Sequence, residues 1–136
     1  MKLQVLTTLA AIVAVGLAAP AAEASARGHT TSVQGSGGKG YTRSTATART
    51  STGAASTRST QTNAGYGATS TRSSTYGGGS YSGSSQTKFN NGASISRSAS
   101  VQNNGDGTAS YSASRTGVNG QTANVSGTVS YSGAPK

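Results

Sequence analysis

The chain predicts an all-β fold, a repetitive antiparallel meander or β-solenoid of about seven short strands, and three observations lead there. Turn residues come at a steady beat. Gly-rich or Asn-Gly breaks fall near Lys39, Gly53, Gly65, Gly78, Gly92, Gly105, Gly120 and Gly133. They lie about thirteen residues apart, which suits one strand plus one turn. Between breaks, apolar and polar side chains alternate with period two, the strand signature, and no window carries the i, i+3, i+4 pattern of a helix. Finally, Ser, Thr and Gly are weak helix formers, whereas Thr and Tyr favour strands.

Residues 1–26 read as a cleaved signal helix. Lys2 supplies the positive start, Leu6 to Ala19 is apolar, and Ala24-Ser25-Ala26 is a small-residue site that places cleavage before Arg27. The apolar run is short for a bilayer, which needs about 20 residues. The expected mature protein therefore has no transmembrane span and is secreted, to an extracellular, cell-surface or periplasmic location. Residues 27–39, with Gly35, Gly37 and Gly38, are expected to be a disordered, flexible lead-in.

The repetitive β region follows over 40–131, with strands expected at 40–50, 54–63, 66–76, 80–89, 92–101, 107–116 and 120–131. In 40–50, Tyr41, Arg43, Thr45, Thr47 and Arg49 share a face without an aliphatic residue. In 54–63 both faces are polar apart from Ala54 and Ala55, and 66–76 groups Tyr66, Ala68, Arg72 and Tyr76. Such strands are expected to hold their register weakly, with order rising toward the C-terminus. Alternation is cleanest in the last three. There Ala93, Ile95, Arg97, Ala99 and Val101 form one face, as do Ala109, Tyr111, Ala113 and Arg115, and then Ala123, Val125, Gly127, Val129 and Tyr131. Asn91-Gly92, Asn104-Gly105 and Asn119-Gly120 are candidate positive-φ hairpin turns, with Asp106-Gly107 competing for the second corner. Residues 132–136 form the C-terminal tail.

Composition limits what such a chain can do. After residue 26 there is no Cys, Met, Trp or Leu, and Val33, Phe89, Ile95, Val101, Val118, Val125 and Val129 are the only large aliphatic residues and phenylalanine. A conventional core cannot be built from these, nor a disulfide frame. Backbone entropy of about 1–2 kcal/mol per residue must then be offset by strand pairing, within one molecule or between molecules. Net charge is +9. The basic residues are dispersed, which suits attraction to anionic polysaccharide, lipopolysaccharide or extracellular DNA. Arg43, Arg49, Arg58, Arg72, Lys88, Arg97 and Arg115 are the candidate contacts. Tyr66, Tyr76, Tyr81, Tyr111 and Tyr131 are candidates for stacking or assembly.

No enzyme is expected. His29 is the only histidine, and Asp106 the only side-chain carboxylate after residue 26, so neither paired-carboxylate chemistry nor a held Ser-His-Asp set can be written. No catalytic, metal or cofactor residues are assigned. The Asn124-Val125-Ser126 sequon reads as a chance match in so Ser-rich a chain.

The export signal, the short strands between Asn/Gly turns, and segments such as Ser100-Val101-Gln102-Asn103-Asn104-Gly105 and Gly120-Gln121-Thr122-Ala123-Asn124 carry a resemblance. Over about residues 80–131 the chain resembles small secreted Ser/Thr/Gly-rich repeat proteins of bacteria and, distantly, curlin-type functional-amyloid subunits. Unlike curlin repeats it carries Ser and Thr in place of regular Gln and Asn ladders, and it is basic. The resemblance implies self-association and transfers no functional residue. The functional expectation is a non-enzymatic exported structural or surface-associated protein, a homo-oligomer or fibre assembling through strand edges. The alternatives are a basic module for anionic extracellular polymers and a disordered Ser/Thr-rich coat segment. An ice- or mineral-facing array built on Thr45, Thr47, Thr69 and Thr71 ranks below these.

Overall fold

A chain with little to bury must satisfy its backbone donors and acceptors in ladders, and short turns make the next strand the nearest partner. The computed structural model describes residues 25–131 and follows this rule throughout. Eight strands run in chain order: β1 (Ser25–Gln34), β2 (Gly40–Thr50), β3 (Gly53–Thr62), β4 (Gly67–Gly77), β5 (Ser80–Phe89), β6 (Ser94–Asn103), β7 (Thr108–Thr116) and β8 (Thr122–Ser130). They form one sheet in the order β1-β2-β3-β4-β5-β6-β7-β8, and each pairs antiparallel with the next. The all-β expectation holds, as a meander rather than a solenoid. The pairing also departs from the alternative of a disordered coat segment.

The strand count corrects the expected lead-in. Ser25–Gln34 is a strand paired along its whole length with β2, from Ser25 opposite Arg49 to Gln34 opposite Gly40. The glycines that suggested flexibility are confined to the turn at Gly35–Gly38. Before them, Thr30, Thr31 and Val33 suit a pleated edge, and β2 supplies the partners. The expected signal helix, up to residue 24, and the tail at 132–136 lie outside the described residues. Cleavage before Arg27 would remove the Ser25 and Ala26 pairs and leave the rest of β1 on the sheet.

The N-terminal strands are as fully paired as the C-terminal ones. β2 and β3 are in register from Tyr41 opposite Thr62 to Thr50 opposite Gly53. Polar strands hold register here because turns and side chains pin it. At one end of the sheet every loop is closed by the same bond. The N–H of Gly35, Thr62, Phe89 and Gly117 donates to the carbonyl four residues on, at Lys39, Tyr66, Ala93 and Gln121 (2.6, 2.8, 2.9 and 2.9 Å). The fourth residue of each loop is a left-handed glycine: Gly38, Gly65, Gly92 and Gly120, with φ of 74, 85, 86 and 75°. This is the three-residue hairpin loop closed by glycine. The asparagines of Asn91-Gly92 and Asn119-Gly120 keep negative φ, so these corners are not two-residue turns. Asn104-Gly105 and Asp106-Gly107 do not compete either, since Gly105 and Gly107 are left-handed residues of one loop (80 and 81°).

Successive loops at this end are also bolted together. Asn63 Nδ2 donates to Gln34 Oε1 (3.1 Å) and to the Gly38 carbonyl (3.0 Å). Asn90 Nδ2 repeats the pattern on Gln61 (2.8 Å) and Gly65 (2.9 Å). The structural unit is therefore a hairpin of two strands, twice the beat heard in the turns.

No apolar side chain is buried among the described residues, and Gly53 alone falls in the buried class. Among the described residues the sheet is a single layer with two open faces.

Because a Cβ at Gly65 meets nothing within 4 Å, replacing this glycine tests backbone conformation alone. Gly65→Ala is expected to cost about 1–2 kcal/mol, the left-handed penalty for a residue with a Cβ. Gly65→Asn should recover much of that loss, because Asn tolerates this region. Thermal unfolding followed by circular dichroism checks both, and equal losses for Ala and Asn would contradict the assignment.

Candidate functional site, an arginine face

In an antiparallel sheet, register partners lie on the same face, and residues two apart along a strand share it. One row of partners runs Arg27, Thr47, Ser56, Arg72, Ser85, Arg97, Arg115 and Ala123 across the eight strands. Arg49 lies two residues from Thr47 along β2, opposite Ala54. Arg58 lies two from Ser56 along β3, opposite Thr45 and Ser70. Arg43, opposite Thr31 and Thr60, lies two further along β2 from Thr45. All seven arginines of the protein therefore stand on one face, and all are exposed.

Five of them form a stripe that bends once: Arg43 on β2 and Arg58 on β3 step diagonally to Arg72 on β4, and Arg97 on β6 and Arg115 on β7 continue in the row of Arg72. It crosses about 25 Å of sheet at about 4.8 Å per strand. Arg58, Arg72, Arg97, Phe89 and Ile95 line part of a groove of about 540 Å³ on this side. Arg97 and Arg115 are direct partners. Like charges directly opposite are destabilising, and a bound anion would relieve that cost.

No carboxylate answers these cations from the same face. Asp106, the one acid among the described residues, sits in the β6–β7 loop. Arg27 and His29 belong to the face as well, and the sequence reading missed their part because it placed them in the lead-in. The alternation of 25–34 against 40–50 would have revealed it. Lys88 is a correction in the other direction. It pairs with Thr69 and Ser94 and stands on the opposite face, because it neighbours Thr87, which shares the arginine side.

The tyrosines divide. Tyr76, Tyr81, Val101, Tyr111 and Gly127 are successive partners in one row of the arginine face. Tyr111 lies over Gly127, where an added Cβ would come within 2.8 Å of its phenol oxygen, and Tyr81 lies over Gly83 in the same way (2.6 Å). Neither glycine has positive φ, so each is there for space: the ring covers backbone that a side chain would otherwise displace. Tyr66 is 76% exposed in the β3–β4 loop and joins no row. Tyr131 follows β8 and donates its hydroxyl to Asn103 Oδ1 (2.8 Å). Thr45 and Thr47 lie on the arginine face and Thr69 and Thr71 on the other, so these four cannot form one hydroxyl array.

The face offers binding chemistry. Guanidinium forks match carboxylate, sulfate and phosphate oxygens, and at fixed spacing they favour a polymer that presents many of them. His29 Nε2 is hydrogen-bonded to Thr31 Oγ1 (2.7 Å) on its own strand, while Asp106 lies beyond the far end of β6. No cluster of three or more His, Cys, Asp or Glu occurs among the described residues. None of their helices is long and apolar enough to cross a membrane. No protein-family model, curated protein or solved structure matches this chain.

Asp106 has a structural task of its own. The Thr108 hydroxyl donates to its carboxylate, as does the Thr108 N–H (2.9 Å), and these bonds hold its pKa below the ordinary 3.8. A carboxylate whose pKa is lowered in the folded state contributes stability above its unfolded value and loses it as pH falls through the folded one. Protection of the Thr108 amide is therefore expected to be full above pH 3.8 and to fall below it, in wild type and not in Asp106→Asn. Hydrogen exchange read by NMR decides this, and identical pH profiles for the two proteins would refute it.

Proposed function

We propose that the protein is a non-enzymatic, exported, surface-associated protein that holds an anionic polysaccharide against its arginine face. One observation carries this reading: all seven arginines converge on one face, and no carboxylate among the described residues shares it. In the sequence these charges look diluted. Strand pairing sets them on one side of the sheet, several of them on neighbouring strands, and so concentrates positive charge there. A single exposed ion pair contributes about 0–1 kcal/mol. Several such contacts on one polymer act together through effective concentration, which favours a polyanion over a small anion. The tyrosine row beside the stripe adds flat surfaces for sugar rings.

A second reading, self-assembly, is favoured by the lack, among the described residues, of any buried apolar side chain and of a strand partner outside β1 and β8. The two readings are compatible, since binding uses a face and edge pairing uses the rims.

Titration against polygalacturonate, with neutral dextran as control, tests the first reading. Affinity should fall steeply with added salt as counterions compete. The triple variant Arg72→Ser/Arg97→Ser/Arg115→Ser should bind about tenfold or more weakly, given some 1 kcal/mol or less per contact, whereas Lys88→Ser should bind like wild type. Equal losses for both variants, or binding indifferent to salt, would refute the arginine face as the site. Tighter binding to duplex DNA or lipopolysaccharide than to polygalacturonate would replace the ligand class and keep the face.

A further inference from the structure

The face opposite the arginines is made of different material. Its rows read Ala26, Ala48, Ala55, Ser73, Ser84, Ser98, Ser114, Asn124, and beside them Thr50, Gly53, Thr75, Ser82, Ser100, Ser112, Ser126. Lys88 is its one charged residue, near the end of β5. Seven cross-strand pairs join hydroxyls of this face, one O–H of each pair donating to the other oxygen. The pairs are Thr30–Ser44 (3.1 Å), Ser32–Thr42 (3.0 Å), Thr69–Ser59 (3.3 Å), Ser73–Ser84 (2.9 Å), Ser98–Ser114 (3.0 Å), Ser100–Ser112 (2.8 Å) and Thr116–Thr122 (2.9 Å). The arginine face has one such pair, Ser70–Thr87 (2.8 Å).

This difference bears on what each face can do when water leaves. Burying a hydroxyl is costly when it loses its hydrogen bond and much less so when it keeps one. The paired hydroxyls of this face therefore cost less to dehydrate than free ones, and its small side chains let another layer approach closely. A trough of about 820 Å³ crosses it from Ala26 on β1 to Ser114 on β7. A sheet is stable when at least one face is covered, and this one has neither face covered among the described residues.

We propose that the hydroxyl face is the docking surface for a second copy of this chain, giving a back-to-back pair of sheets with both arginine faces outward. Charge selects the face. Stacking the arginine sides would oppose seven cations with seven and no carboxylate between them, while the hydroxyl sides bring one lysine each, near a rim. Area is sufficient. Eight strands at about 4.8 Å and nine residues at about 3.3 Å give roughly 1,100 Å² per face. The pair then buries roughly 2,200 Å², at or above the 1,200–2,000 Å² typical of stable interfaces. A two-fold arrangement closes, so this contact by itself ends at a dimer. The pairing is independent of polysaccharide binding.

Sedimentation equilibrium of the full chain tests the proposal together with maleimide labelling of single cysteines, since the native chain has none. Ser98→Cys lies on the hydroxyl face and Ser85→Cys on the arginine face. In the isolated chain Ser98 is exposed and Ser85 half-buried, so a monomer labels faster at 98. The proposal expects a dimer with the order reversed, slow at 98 and fast at 85. It also expects Ser84→Glu/Ser98→Glu to raise the dimer dissociation constant at least tenfold with the strand circular dichroism signal kept, and Ser85→Glu not to do so. A wild-type monomer at 100-fold the concentration used for labelling would overturn the proposal. So would fast labelling at 98 within the dimer. Open-ended oligomers unaffected by Ser84→Glu/Ser98→Glu would overturn it in favour of pairing through the β1 and β8 edges.

Discussion

The antiparallel backbone ladder between consecutive strands is the constraint on which everything else here rests. A protein of this size ordinarily gets its stability from apolar side chains removed from water. None is buried in this sheet. What opposes chain entropy is hydrogen bonding along seven strand interfaces, reinforced by hydroxyl pairs and by loops tied to their neighbours. Each contribution is small, about 0.2–1 kcal/mol for a cross-strand pair, and the structure depends on their number. The pairing is local in sequence, so each strand needs only its predecessor to find its place.

A ladder of this kind turns loop length into side-chain placement. A slip of one residue would send every side chain of a strand to the other face. The arginines keep to one face although their numbering changes sense along the chain. They are odd-numbered on β1 and β2 (Arg27, Arg43, Arg49), even-numbered on β3 and β4 (Arg58, Arg72), and odd-numbered again on β6 and β7 (Arg97, Arg115). The turn at Ser51-Thr52 shifts the sense once, and the Gly78-Gly79 turn shifts it back. Charge position and turn length are therefore matched, and the one-sided cation array follows from that match. Left-handed Gly78 and Gly79 permit the second of these turns, while the Ser51-Thr52 turn uses no left-handed residue.

The two faces divide the labour of a single layer. Arginine and tyrosine side chains are long and face solvent, where ions and sugars are. Serine, threonine and alanine are short, and part of the hydroxyls pair with one another, which suits contact with another layer. Segregating them avoids the cost of burying charge, which would fall on any sheet that mixed them. The rims are the weak point of such a fold, because among the described residues β1 and β8 each present an unpaired row of backbone groups.

Much of this was legible in the sequence. Alternation identified the strands from β2 to β8 and grouped their side chains correctly apart from Tyr66, which falls in a loop, because the period of two is local and survives any arrangement of neighbours. The glycine beat located the turns for the same reason. β1 was hidden because Gly35–Gly38 made the whole segment look loose, whereas a strand needs only a partner, and β2 provides one. The loop forms were misjudged because Asn-Gly fits two-residue and three-residue hairpins alike. Lys88 was grouped with the arginines because composition carries no information about sides. The sequence by itself determined that the chain is built of short strands and cannot form a core. Only the tertiary structure decided that seven scattered arginines share a face, because that depends on register accumulated over every turn, and one residue more or less in a loop would have reversed it.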